Sequence, residues 1–370
     1  MKRMVTWARH GLAPTVMLLI TFIFGVAGAQ DGAAVIGVDN VGDLQSVVQI
    51  DYDGAPESLG DLISGWLRVS HDGAQIVTIN RANDLLLWDT ATGGLVDLYS
   101  VTDENGVQAA MMDIAWRADS GAFHSLHTSG AGYFVAETNI ATDVQRVITA
   151  PTGDDLPVRV WTDDDPDYTW IEVMPATPND LPYVMRLSLV TGEVDVELIS
   201  APEADPEADV RIGRMPAPLV VTSTAAGLAK LWNLETGEEI SNSQVDGMPM
   251  FGHINGASGR RLAWRDPMSE NLHLLDFDTG DNVQIAPLDG AYVQALLVTP
   301  PSDVILGVNV DLEPVIVAWD VATGERTRLG AYRECGRTPD MVQLSTDGTT
   351  LVIGCDTGLD IWRVVEAGTE

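Results

Sequence analysis

Apolar residues alternate with polar ones along most of this chain in short runs broken by Gly-containing turns, the pattern of half-buried β-strands. The clearest case is Leu85–Tyr99, LLLWDTATGGLVDLY. It predicts a β-hairpin: a strand ending in Trp88-Asp89, a tight turn around Thr92-Gly93 and a returning strand. The same pattern returns in Lys230–Ile240, His273–Ile285 and Val317–Leu329, with weaker copies in Thr138–Val147 and Ser188–Val196. Aligned on the turn residue, Gly93, Asp143, Gly192, Gly237, Gly280 and Gly324 are 50, 49, 45, 43 and 44 residues apart. Trp88, Trp232 and Trp319 stand five residues before the turn, with Leu275 in the same slot of another copy.

Each period has room for four short strands, in the first copy Trp66–Ser70, Gln75–Asn80, Leu85–Asp89 and Leu95–Ser100. A unit of that size cannot bury its apolar faces alone. Repetition at this spacing predicts an all-β, seven-bladed β-propeller of four-stranded blades, forming a single domain over residues 40–364. The last copy stops after its third strand, while Val41–Asp51 is strand-like and has no partner in the first copy. The N-terminal strand is therefore expected to close the last blade and remove an open edge. Residues 30–39 read as a short linker and 365–370 as a tail.

Residues 1–29 have the make-up of an export signal: Lys2, Arg3 and Arg9, then the apolar Val16–Val26, then Ala27-Gly28-Ala29 as a small-x-small cleavage site. Cleavage after Ala29 is expected, with an uncleaved N-terminal anchor as the alternative. Either outcome places the remainder outside the cytoplasm, in the periplasm, the cell envelope or the medium, and cleavage leaves nothing to insert into a membrane.

All 54 acidic residues follow the leader and 17 of the 20 basic ones do, for a net charge of −37. Such a charge opposes nucleic acid and anionic membrane surfaces. It suits solubility in a salty exterior or, functionally, a basic partner. Cys335 and Cys355 fall in the last copy, and in an exported protein they are expected to form a disulfide.

The chain resembles bacterial WD-repeat β-propellers over essentially all of residues 40–364. The residues that carry the likeness are SHDG at Ser70–Gly73, STDG at Ser345–Gly348, the third-strand LLLWD, KLWN, VAWD and DIW, and the TG turns after them. The Gly-His dipeptide of strict members is missing from most copies. What the resemblance implies is a rigid, non-catalytic platform, expected to be a monomer, whose top-face loops bind another protein or a peptide.

Signals for chemistry are sparse. There is no GxSxG, HExxH or P-loop. An alternative reading, a lactonase-like or other propeller hydrolase, would need ligands meeting at the ring centre. His124 and His127 are three apart on a strand and so face opposite ways. Asp163, Asp164, Asp165 and Asp167 offer hard oxygens that could suit calcium, although no complete calcium loop is present. Otherwise no cofactor is expected. Arg68, Arg117, Arg159 and Arg211 all fall on expected innermost strands and could hold an anionic ligand in the channel, and a third reading is a sugar- or small-anion-binding module of the cell envelope. Alternatively the arginines turn between blades and pair with carboxylates.

Overall fold

The computed structural model describes residues 33–52, 62–103, 105–163, 165–177, 180–199, 210–215, 218–224, 227–245, 257–265, 271–287, 293, 295–300, 303–308, 314–332, 341–355 and 357–365. The stretch expected to be an export signal lies outside them. The strands form seven separate four-stranded antiparallel sheets. Blade 1 is Leu62–Val69, Gln75–Asn80, Asp84–Asp89 and Leu95–Ser100; blade 2 is Ala110–Trp116, Ala122–Ser129, Gly132–Asn139 and Val144–Thr149. Blade 3 is Leu156–Thr162, Tyr168–Met174, Tyr183–Ser188 and Val194–Ile199; blade 4 is Val210–Arg214, Leu219–Thr224, Leu228–Asn233 and Glu239–Gln244. Blade 5 is Ala257–Ser258, Arg261–Arg265, Asn271–Asp276 and Asn282–Pro287; blade 6 is Ala295–Val298, Val304–Val308, Val315–Asp320 and Arg326–Ala331. Blade 7 is Met341–Leu344, Leu351–Cys355 and Gly358–Val364, and takes its outer strand from Leu44–Asp51. The inner strand of blade 7 lies beside that of blade 1, so the sheets form a ring. This is a seven-bladed β-propeller.

Burial follows position within the blade. Second and third strands are covered on both faces, which is why Asp84–Asp89 and Leu351–Cys355 are almost continuously apolar. Val77, Leu85 and Leu87 of blade 1 pack against Ile114, Trp116 and Phe123 of blade 2. The residues alternating with them, Ile76, Leu86 and Trp88, pack against Ile361 and Val352 of blade 7. Outer strands are covered on one side only, and Leu95–Ser100 is mostly exposed.

One recurrent turn joins third to outer strand. The Asp89 carboxylate accepts the backbone N–H groups of Ala91 and Thr92, and Asp320 those of Ala322 and Thr323. Asp276 and Asn233 do the same in blades 5 and 4. The residue after the Thr takes a left-handed backbone, φ +70° at Gly93 and +72° at Gly324, and in blade 2 Asp143 adopts it at +54°.

Closure is built from both ends of the chain. Leu44–Asp51 runs antiparallel to Gly358–Val364, from Leu44 opposite Val364 to Asp51 opposite Gly358. Ser46 donates to the fully buried Asp360 and so marks the register. At the seam with blade 1, Arg363 donates to Gly73 O and Thr90 Oγ1. Before this strand, residues 33–43 cross blades 6 and 7 as a strap. Ile36 is fully buried, its N–H bonds to Gly348 O, and Val38 N–H bonds to Asp303. Part of the stretch expected as a linker is thus packed on the ring. Cys355 is fully buried, while Cys335 lies outside the described residues.

Candidate functional site

The meander divides the connections between two ends of the ring. Inner-to-second and third-to-outer connections share one end and are short. Their carboxylates serve their own backbone: Asp72, Asp119 and Asp347 accept the N–H groups of Ala74, Gly121 and Thr349. Second-to-third and outer-to-inner connections share the other end, among them 52–61, 101–109, 200–209, 245–256 and 332–340. Together the connections at this loop end hold 21 acidic residues and 3 basic ones. Val107, Leu156 and Met174 are exposed apolar residues at this end, with Leu156 directly opposite Met174.

Of the four arginines, Arg68 and Arg159 lie on inner strands and Arg117 falls one residue past Ala110–Trp116, and the three side chains engage carboxylates separately. Arg68 reaches sideways to blade 2, donating to Ile114 O at 3.0 Å and to the Asp113 carboxylate at 2.6 Å. Asp113 is almost wholly buried, and its other oxygen accepts Val160 N–H of blade 3. Arg159 repeats the backbone bond one interface on, donating to Ile212 O of blade 4 at 2.9 Å, but pairs with Glu172 of its own blade at 3.2 Å. Arg117 pairs with Asp119 and Glu137. The side chain of Arg211 lies outside the described residues.

The acidic stretch 163–167 is also partly committed. Asp163 is buried and takes both prongs of Arg186, at 2.7 and 3.0 Å, while that guanidinium covers the Tyr168 ring. Asp165 accepts Asp167 N–H, and Asp167 lies 3.7 Å from Arg146. Asp164 is outside the described residues. Among those described, no group of three His, Cys, Asp or Glu side chains is placed to hold one metal ion.

His124 and His127 occupy opposite faces of their strand. His124 meets Thr169 of blade 3, and His127 stacks on Phe134 of its own blade. Burial lowers both to a pKa of about 3, with Arg117 and Arg146 adding to the effect at His124. Both are neutral core side chains at pH 7. Trp116 and Trp161, on the inner strands of blades 2 and 3, are buried, and the Trp116 indole donates to Arg68 O.

Asp113, Glu137, Arg186 and Arg363 organise these networks and were not singled out from the sequence. The one signal for Asp113 is a carboxylate interrupting the apolar inner strand Ala110–Trp116.

No protein-family model and no curated protein matches this sequence. Among solved structures, the chain is similar to the Myceliophteria thermophila Cps50 (Swd1) β-propeller domain. The match has a TM-score of 0.61 at 12% identity and covers 87% of this chain and 100% of that one. At this identity the likeness is one of fold, that of a WD40-like propeller.

Proposed function

We propose that the protein is an exported, non-catalytic platform that holds a basic protein or peptide at the loop end of the ring. The observation that carries this reading is that the long connections gather at one end of a rigid scaffold, where they hold 21 acidic residues and 3 basic ones. Rigid rings that vary only in their connections are suited to binding, and clustered charge steers a partner of opposite sign.

The test is titration of a fluorescent lysine-rich peptide at two salt concentrations. Replacing Glu203, Asp205, Glu207 and Asp209 by their amides is expected to weaken binding at least threefold. The same change at Glu238, Asp278 and Asp281, at the turn end, is expected to leave it unaltered. Equal effects from both sets would defeat the assignment of the face. Cell fractionation with and without residues 1–29 tests export, and mass spectrometry of unreduced peptides tests the Cys335–Cys355 bridge. Reduction of that bridge should lower stability by about 3 kcal/mol, the scale for a loop of this length. Binding by this platform needs no cofactor, so calcium or a chelator should leave the peptide affinity unchanged.

A further inference from the structure

At the turn end, away from the long connections, a cavity of about 210 Å³ lies between the N-terminal strap and the third-to-outer hairpin of blade 6. Val41, Val304 and Ala318 line its inner part and are themselves buried, so polar groups make up the larger share of its open surface. Its rim combines Val38 of the strap, 42% exposed, with Asp320, Glu325 and Thr327 of the hairpin. Asp320 is tied into its turn by Ala322 and Thr323. Glu325 is exposed, and among the described residues no ion pair engages its carboxylate. The same turn position in blade 4 is Glu238, whereas the strap crosses blades 6 and 7.

We propose that this cavity is a binding site for a primary alkylammonium group, the side chain of a lysine presented by a partner. An engineered cavity of roughly 150 Å³ admits benzene, so this volume accommodates a four-carbon stem. Val38 and the edges of Val41, Val304 and Ala318 take part of the methylene stem, and the two carboxylates at the solvent-facing rim meet a hydrated point charge. The lining has no aromatic ring, which disfavours a quaternary ammonium or a stacked guanidinium. The site depends on the strap, because Val38 and Val41 form one wall. It is independent of the loop-end reading.

The experiment titrates the purified full chain with N-acetyl-lysine methylamide by NMR, using blocked norleucine and blocked arginine as comparisons. Lysine is expected to bind at millimolar concentrations and at least fivefold more tightly than either comparison. Glu325→Gln is expected to weaken lysine at least fivefold, whereas Glu238→Gln leaves it unchanged. Ala318→Val, which fills part of the cavity, is expected to weaken lysine and norleucine together, with folding checked by the amide spectrum. Norleucine binding as tightly as lysine, or no effect of Glu325→Gln, would overturn the proposal. Loss of lysine-peptide binding in the loop-end variants alone would leave the platform standing without this site. The reverse pattern would leave the site without the platform.

Discussion

Trp88 and Trp319 hold the same place in blades 1 and 6 but are fixed by different neighbours. The Trp88 indole donates to Thr78 Oγ1 at 2.9 Å, and Trp232 does the same to Thr222. In blade 6 the position equivalent to Thr78 is Gly307, and a Cβ there would sit 2.4 Å from the Trp319 ring. Gly307→Ala should therefore cost about 1–3 kcal/mol by overpacking, seen as a lower urea midpoint with an unchanged slope. Thr78→Val should cost a similar amount, about 1–3 kcal/mol, by leaving a buried donor unpaired. The buried histidines act through pH. Their folded pKa of about 3 lies below the unfolded value near 6.5, so between these values the unfolded chain binds more protons. Stability is thus complete above about pH 6.5 and is withdrawn as pH falls towards 3, at roughly 1.4 kcal/mol per pH unit for each histidine. His127→Phe should remove about half of that slope between pH 6 and 5, measured by urea denaturation; an unchanged slope would assign acid sensitivity to other groups.

Between elements, adjacent blades are joined by ion pairs as well as by apolar packing. Arg68→Gln leaves Asp113 buried without its cation, and should cost about 3 kcal/mol. Changing Arg68 and Asp113 together to Met and Leu should recover much of that loss, which equilibrium unfolding of the three variants would show. The inner-strand positions of these arginines were legible in the sequence, but their direction was not. Strand alternation assigns a face only while the register is regular. Here it shifts between Ile63 and Leu67, between Met111 and Asp113, and between Pro157 and Arg159. Each irregularity falls just before the residue whose orientation mattered, so the choice between channel and blade interface needed coordinates. The hairpins were the opposite case. Asp or Asn, Thr and Gly at fixed offsets state the turn directly, and Asp143 was recognisable as the residue standing in the glycine slot.

For the molecule as a whole, the repeat spacing made the seven blades legible, and the missing fourth strand of the last copy made the closure legible. The strap was harder to see, because a single apolar residue, Ile36, anchors it and no periodicity announces it. Closure ties the two ends of the chain into one sheet, so the ring is complete only when Leu44–Asp51 has docked on Gly358–Val364. Deleting residues 33–51 would expose the hydrogen-bonding edge of Gly358–Val364 and uncover the core around Leu359 and Trp362. An exposed edge of that kind recruits other strands. The truncated protein should therefore form larger, concentration-dependent oligomers than the full chain in sedimentation velocity, and a synthetic peptide of residues 33–51 should restore the full chain's sedimentation. Adding the same peptide with Ser46→Pro should fail to do so, because proline removes the hydroxyl that pairs with Asp360 and stiffens the strand. Truncated protein that sediments as the full chain does, with unchanged protection of blade 7 amides in hydrogen exchange, would show that six and three-quarter blades hold the ring without the N-terminal strand.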